Sequence, residues 1–179
     1  MDIRKGLAAG AAAVLALHPT LASAQQACVT EDEVSAVAIY SVPSVLQAVR
    51  LRCGSALSSG GYLARRGDAL SGRYAALQAR VWPRAKSGLL KVLASKSGPS
   101  QGRQGLETLG ALPDDAVRPL VDALIVQEVS PRIATGNCTR IEWVIEAMAP
   151  IDPEVAGTVL GAVGGLIDPD EIPVCPRRS

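Results

Sequence analysis

The sequence predicts an all-α protein, a small helical bundle or array of helical hairpins held together by disulfides. Ala, Leu and Val make up most of the apolar residues, Phe is absent, and only 3% of the chain is aromatic. Such residues favour helices, and alternating strand patterns are scarce. The four cysteines form no C-x-x-C pair, which is typical of structural disulfides rather than of a redox or zinc site. From the apolar periodicity we expect about six to eight helices.

The first 24 residues match a cleavable export signal. Two basic residues precede an apolar run over residues 6–17, and small residues at the usual cleavage positions end at Ala24. The run is too short to cross a membrane, which takes about 20 residues. We therefore expect removal of residues 1–24 and a periplasmic or secreted protein without a transmembrane segment. His18 is the only histidine, so cleavage would exclude Ser-His-Asp and Cys-His catalysis.

The four cysteines are expected to form two disulfides, because an exported chain matures in an oxidising compartment. Helix signals place one hairpin between Cys28 and Cys53, and another between Cys138 and Cys175. Antiparallel packing brings the open ends of each hairpin together. We therefore favour the pairs Cys28–Cys53 and Cys138–Cys175, while the other two pairings stay possible.

Helix signals divide the first part of the mature chain, residues 25–96, which is basic from residue 47 onward. Thr30 and Glu33 form a capping box that begins the first helix. Pro43 stands where a second helix can begin, since proline is tolerated in a first turn. Leucines near heptad spacing then indicate a longer helix, which Pro83 is expected to kink or divide.

A Gly-, Ser- and Pro-rich linker at residues 97–105 leads to an acidic helical part, residues 106–179. We expect the two helical parts to form one domain. A weak internal repeat with an offset of 38 residues sets Val121 against Val159. Two copies are fewer than a helical-repeat protein needs, so we interpret the repeat as the shared spacing of amphipathic helices.

Further helix ends are predicted in this acidic part. Thr139 and Glu142 form a second capping box, and Asp152 and Pro153 match the N-cap and first position of the last helix. Pro119 is compatible with the helix around it only if it falls in the first turn.

Charge is unevenly distributed along the chain. Residues 47–105 contain 11 basic residues and one acidic residue, whereas residues 106–179 contain 12 acidic and 5 basic residues. The basic segment either binds an anionic surface, such as lipid, lipopolysaccharide or cell-wall polymer, or pairs with the acidic part. Because removal of residues 1–24 leaves 16 basic and 16 acidic residues, we favour internal pairing. The residues considered for an interaction surface are Arg65, Arg66, Arg73, Arg80, Arg84 and Lys86.

A glycine repeat lies in the predicted last helix, at Gly157, Gly161 and Gly165. This spacing places the glycines on one side of the helix, where the backbone of a neighbour can approach closely. The surrounding apolar run, residues 155–167, is shorter than the roughly 20 residues that cross a membrane. We interpret the segment as a buried helix whose glycines let the backbone of a neighbour come close, with an oligomer interface or a membrane-inserting segment as the alternative.

Catalytic patterns are few. Glu142 and Glu146 share one face of a predicted helix, and paired carboxylates can hydrolyse glycosides. A solvated helix face explains this pair more simply. The sequence has no Ser-x-x-Lys motif ahead of Lys86, Lys91 or Lys96 and no phosphate-binding glycine loop. We expect no enzyme activity, no cofactor and no metal, and keep a carboxylate-dependent hydrolase as an alternative.

These patterns predict an exported, non-enzymatic helical protein that binds or scaffolds another protein of the cell envelope. The main alternative is a peripheral binder of anionic envelope surfaces that uses residues 47–105. Nucleic acid is not an expected partner, because the chain is exported and aromatic residues are not interleaved with its basic ones.

Overall fold

The computed structural model describes residues 28–96, 108–164 and 174–175. The predicted export signal at 1–24 and the linker at 97–105 lie outside these residues. Five helices have both ends within them: α1 (Glu31–Cys53), α2 (Tyr62–Lys96), α3 (Asp114–Val129), α4 (Cys138–Met148) and α5 (Pro153–Gly164).

The remaining described residues form short elements. Residues 108–111 are helical, and the 3-10 turns Ser130–Arg132 and Thr135–Asn137 lead from α3 to α4. Across the described ranges, β pairing is limited to one isolated bridge between Val29 and Val174. The predicted all-α class is therefore confirmed.

Helix α1 is the central element, and α2, α3 and α5 all pack against it. Helix α3 runs parallel to α1, because Tyr40 donates to the carbonyl of Arg118 and Ser44 donates to the carboxylate of Asp122 one turn further along both helices.

Helices α4 and α5 follow each other along α1 in the opposite direction. Cys138 at the start of α4 is bonded to Cys53 at the end of α1, and Gly161 near the end of α5 lies against Glu31. The break between α4 and α5 therefore lies opposite the middle of α1.

The core lies where α2 and α3 meet α1. Trp82 and Tyr40 are the two largest fully buried side chains, and their ring centroids are 4.9 Å apart. The guanidinium carbon of Arg118 lies 5.2 Å from the centre of the Trp82 ring, a cation–π distance. In a chain with so few aromatic residues, this stack supplies the bulk that Ala, Leu and Val cannot.

The predicted start of a second helix at Pro43 is wrong, and so is a division of the helix at Pro83, because α1 and α2 continue through both prolines. Pro119 likewise lies beyond the first turn of α3 without ending it. An internal proline removes one backbone hydrogen bond, which costs about 3 kcal/mol. At Pro43, packing offsets this cost, and Gln78 of α2 donates to the carbonyl of Tyr40 in the disturbed turn at 3.0 Å. The bundle therefore has fewer and longer helices than the sequence predicts.

The predicted disulfide pairing is also wrong. The bonds are Cys28–Cys175 and Cys53–Cys138, with Cα atoms 4.9 and 5.5 Å apart. Because α1 is a single helix of 23 residues, Cys28 and Cys53 lie at opposite ends of a rod about 34 Å long. The expected hairpin does not form, so Cys28 just before α1 and Cys53 at its end each bond to a cysteine from the C-terminal part of the chain.

Two of the predicted caps are confirmed. The Thr30 hydroxyl accepts from the N–H of Glu33, and the Glu33 carboxylate accepts from the N–H of Thr30, as in a capping box. At the start of α5, the Asp152 carboxylate accepts from the N–H groups of Glu154 and Val155. Both caps satisfy backbone donors that have no partner within the helix.

The second predicted capping box is wrong. Helix α4 begins one residue before Thr139, at the disulfide-bonded Cys138, and Asn137 occupies the cap position without a side-chain hydrogen bond. Glu142 turns away from its own helix and accepts from the N–H of Leu63 at 2.9 Å. It therefore satisfies a first-turn donor of α2 instead.

Helix α1 is long and apolar enough to cross a membrane by length and composition, with a mean hydropathy of 1.4 over its most apolar window. It is nevertheless the core helix of the bundle, with neighbours on several sides. Of that window, 39% is buried, so packing against these neighbours accounts for part of this composition.

The glycines of α5 lie against α1. A Cβ atom added to Gly157 would lie 2.5 Å from the Ile39 side chain, and one added to Gly161 would lie 2.6 Å from the Glu31 carbonyl oxygen. Gly165 lies outside the described residues. The two described glycines therefore allow α5 to pack directly on the first half of α1.

We expect Gly161→Ala to lower the free energy of unfolding by about 1–3 kcal/mol, because the added methyl group meets a backbone atom that cannot rotate away. Gly72 is the matched control, since no atom lies within 4 Å of a Cβ added there. Gly72→Ala should raise the free energy of unfolding by about 0.5–1 kcal/mol through helix propensity. Urea unfolding measures both, and equal effects would contradict the close packing of α5 on α1.

Candidate functional site

An apolar cavity of about 130 Å³ lies where α4 ends and α5 begins, between these helices, α1 and α2. Because its walls are mainly apolar, this cavity can accept a small apolar group. Burial raises the pKa of Tyr74, which forms part of the wall, in keeping with an apolar interior. The other walls are formed mainly by Ile39, Val42, Leu46, Leu70, Ile145 and Ala156.

The cavity opens on the side away from α2. The lining residues from α2, Leu70 and Tyr74, are buried. By contrast, Met148 of α4 and Leu160 of α5 also line the cavity but are 44% and 42% exposed. The opening therefore lies between α4 and α5, next to the partly exposed Ala38 of α1.

Exposed apolar residues are concentrated around this cavity. Of the 13 large apolar side chains exposed in the described ranges, eight lie between residues 143 and 163. Val155, Val159 and Val163 are 55%, 56% and 47% exposed and follow one another at helical spacing, on the side of α5 away from α1. Trp143, which is 66% exposed, lies on the outer side of α4. We refer to these four residues as the C-terminal apolar surface.

Two arginines of α2 fix the corner between α4 and α5. Arg73 donates to the carbonyl oxygens of Ala149 and Ile151 at 2.6 and 2.9 Å, which satisfies acceptors that the end of α4 leaves free. Arg80 forms an ion pair with Glu154 in the first turn of α5 at 2.6 Å. Both side chains therefore hold the helices that enclose the cavity.

The other basic residues selected from the sequence differ in their surroundings. Lys86 forms an ion pair with Asp114 at 3.0 Å, and Arg65 donates to a carbonyl of its own helix turn. Arg66 and Arg84 are exposed and make no hydrogen bond or ion pair within the described ranges. Much of the basic segment is therefore used inside the fold.

A buried ion pair that the sequence did not indicate joins α1 to α2. Lys91 donates to both carboxylate oxygens of Glu33 at 2.8 Å, and Ser87 donates to one of them at 2.6 Å. Burial opposes ionisation of Glu33, but hydrogen bonds from Lys91, Ser87 and the Thr30 N–H outweigh it and lower the pKa of this carboxyl group. The cluster is fully hydrogen-bonded, which indicates a structural role.

A polar depression lies beside the Pro43 turn of α1. Its walls include Ser44, Gln78 and Asp122, and Ser44 donates to the Asp122 carboxylate at 3.1 Å. Burial, with the nearby charge of Asp122, raises the pKa of Tyr40. Tyr40 is therefore protonated at neutral pH, and these groups mainly satisfy one another.

Glu142 and Glu146, the residues of the hydrolase alternative, have different surroundings. Glu142 is partly buried and accepts from the N–H of Leu63, whereas Glu146 is exposed. Neither carboxylate lines the apolar cavity. The hydrolase alternative stays a prediction.

Among residues 28–96, 108–164 and 174–175, no three His, Cys, Asp or Glu side chains lie close enough together to hold a metal ion. Both disulfides are intramolecular, which indicates an oxidising compartment.

Comparison of the chain with protein-family models, curated proteins and solved structures finds no match. Any functional conclusion therefore depends on the geometry of this chain alone.

Proposed function

We propose that the mature chain is an exported, non-enzymatic protein that binds another protein of the cell envelope through its C-terminal apolar surface. The observation that carries this proposal is the exposure of Val155, Val159 and Val163 on α5, together with Trp143 on α4. The three valines follow one another at helical spacing and form an exposed apolar patch, and such patches mark binding surfaces.

Export is supported by two independent features. Residues 1–24 have the basic start, apolar run and small residues of a signal peptide. The two disulfides need an oxidising compartment to persist. Together they favour the periplasm or the cell exterior as the place where a partner is met.

A protein partner is favoured by the shape of the surface. The valines follow one side of a straight helix, a pattern that suits packing against an apolar helix of a partner. Exposed tryptophans are enriched among residues that dominate binding energy, so Trp143 is the expected anchor. Arg73 holds the turn between α4 and α5, so the surface needs little rearrangement to bind.

The test is capture of partners from the envelope fraction with the tagged mature protein. We expect Val159→Glu to reduce the amount of captured partner at least about tenfold, because a charge would be buried against apolar groups. Ala79→Glu is the matched control, since Ala79 is an exposed position on α2 far along the chain from this surface. Equal capture by wild type and both variants would contradict the proposal.

The anionic-surface alternative is supported by one specific observation. Arg66 and Arg84 are exposed, lie five turns apart on the same side of α2, and make no ion pair within the described residues. Two arginines provide a weak attraction to anionic lipid, about 1 kcal/mol each. This alternative is therefore secondary.

A further inference from the structure

One side of α4 connects the apolar cavity to a second depression. Ile141, Val144, Ile145 and Met148 have the i, i+3, i+4, i+7 spacing that places side chains on one side of a helix. Ile145 and Met148 line the cavity, whereas Ile141 and Val144 line the second depression. The apolar side of α4 is therefore continuous between the two.

The second depression is basic at its edge. Arg132 and Arg140 both line it, beside Ile133. Arg52 donates to the carbonyl oxygen of Ile133 at 3.3 Å, so a third guanidinium contacts a wall residue of the depression. Arg132 also pairs with Glu128. Arg140 is exposed and makes no ion pair with any described residue, which leaves it available to an anion.

The basic depression and the apolar cavity are separated by a distance that suits a single hydrocarbon chain. Arg140 and Met148 are eight residues apart, which is about 12 Å along the axis of α4. Between them the exposed Val144 provides an apolar surface. At the far end, the cavity of about 130 Å³ has room for the end of one chain but not for a helix.

We propose that this side of α4 binds a single-chain anionic amphiphile, a long-chain fatty acid. Its carboxylate is held by Arg140 and Arg52, its chain lies along Val144, and its methyl end enters the cavity beside Met148. Charge complementarity favours an acid over a neutral or cationic chain, because two arginines line the depression and a third contacts its wall, while one glutamate pairs with Arg132. This inference goes beyond the proposed function, which uses the opposite, outward side of α5.

Isothermal titration calorimetry of the mature, oxidised protein tests this site with dodecanoate below its micelle concentration. We expect saturable binding of one dodecanoate per chain. Dodecyltrimethylammonium, which has the same chain and the opposite charge, should bind at least about tenfold more weakly. Affinity should rise roughly fourfold for each methylene from octanoate to dodecanoate, as burial of the chain requires.

Three variants locate the site. Arg140→Glu should weaken dodecanoate binding about 10- to 100-fold, the range for a charge-assisted hydrogen bond, without changing the melting temperature, since Arg140 is exposed. Arg84→Glu is the matched control and should bind like wild type. Ala156→Leu adds a larger side chain to the cavity wall. In this variant, affinity should stop rising at a shorter fatty-acid chain length than in wild type.

Several results would overturn the proposal. These are absence of dodecanoate binding to folded wild type, equal binding of the two opposite charges, or equal loss of binding in Arg140→Glu and Arg84→Glu. Binding to phosphatidylglycerol vesicles but not to monomeric dodecanoate would assign the surface to a membrane instead. A concentration-dependent dimer that Val144→Glu abolishes and dodecanoate leaves intact would assign it to a second copy of the chain.

Discussion

Replacement of Cys53 and Cys138 together by alanine is expected to lower the free energy of unfolding by about 4–5 kcal/mol. The bond joins residues 85 positions apart, so its loss greatly increases the freedom of the unfolded chain. Both cysteines are fully buried, and the bond holds the start of α4 against the end of α1. Because a domain of this size is stabilised by only about 5–15 kcal/mol, the variant should lose roughly a third or more of its stability.

Urea unfolding of the oxidised protein and of this double variant measures the difference. Non-reducing peptide mapping is the control, since it must yield one linked peptide pair that contains Cys53 and Cys138. A peptide pair that links Cys28 to Cys53 would contradict the single continuous α1, because the helix holds these residues at its opposite ends.

Replacement of Glu33 by alanine is expected to cost about 3–5 kcal/mol, because it leaves Lys91 without its partner in a largely buried position. The same change removes the capping box of α1. Glu146→Ala is the control, since Glu146 is exposed, and it should change stability by less than about 0.5 kcal/mol.

The Glu33 cluster also makes the free energy of unfolding depend on pH. The pKa of the Glu33 carboxyl group in the folded protein is below the ordinary value of 4.5, so the folded state favours the ionised form. The stability that it contributes is present above pH 4.5 and is lost as the pH falls through the lower, folded value. Glu33→Gln should therefore lose less stability than wild type on acidification below pH 4.5. Identical acid dependence of the two proteins in urea unfolding would contradict this role.

The helix class and two caps could be predicted because their signals are local. Thr30 and Glu33 are three residues apart, and Asp152 directly precedes Pro153, so each cap depends only on neighbours in sequence. Leu124 shows the limit of such patterns. Helical spacing places Leu124 on the same side of α3 as Val117, yet Val117 is buried and Leu124 is exposed. Tertiary packing decides how much of the helix surface is buried by its neighbours.

The prolines and the disulfides could not be predicted for a related reason. The cost of a proline within a helix is fixed by local geometry, but the gain from continuing α1 past Pro43 comes from α2, α3 and α5 around it. If α1 ended at Pro43, the chain would form a hairpin with Cys28 and Cys53 at its open ends, and these two cysteines would pair. A single tertiary effect therefore changed both the helix count and the connectivity.

The candidate site was partly visible in the sequence. The repeat of Gly157 and Gly161 indicated which side of α5 packs closely, but the predicted burial of the whole helix is wrong, because the valines on its other side are exposed. The cavity could not be predicted, since it depends on where α4 ends relative to α1. The arginines of the second depression belong to segments that are distant in sequence, Arg52 on α1 and Arg140 on α4.

The most direct measurement of the proposed function is site-specific photo-crosslinking in the intact cell envelope. A photoreactive residue is placed at Val159 in one protein and at Ala79 in another, both exposed helical positions in the folded chain. We expect one discrete crosslinked product of fixed mass from position 159 and none from position 79. No product from position 159, or the same products from both positions, would contradict binding through the C-terminal apolar surface.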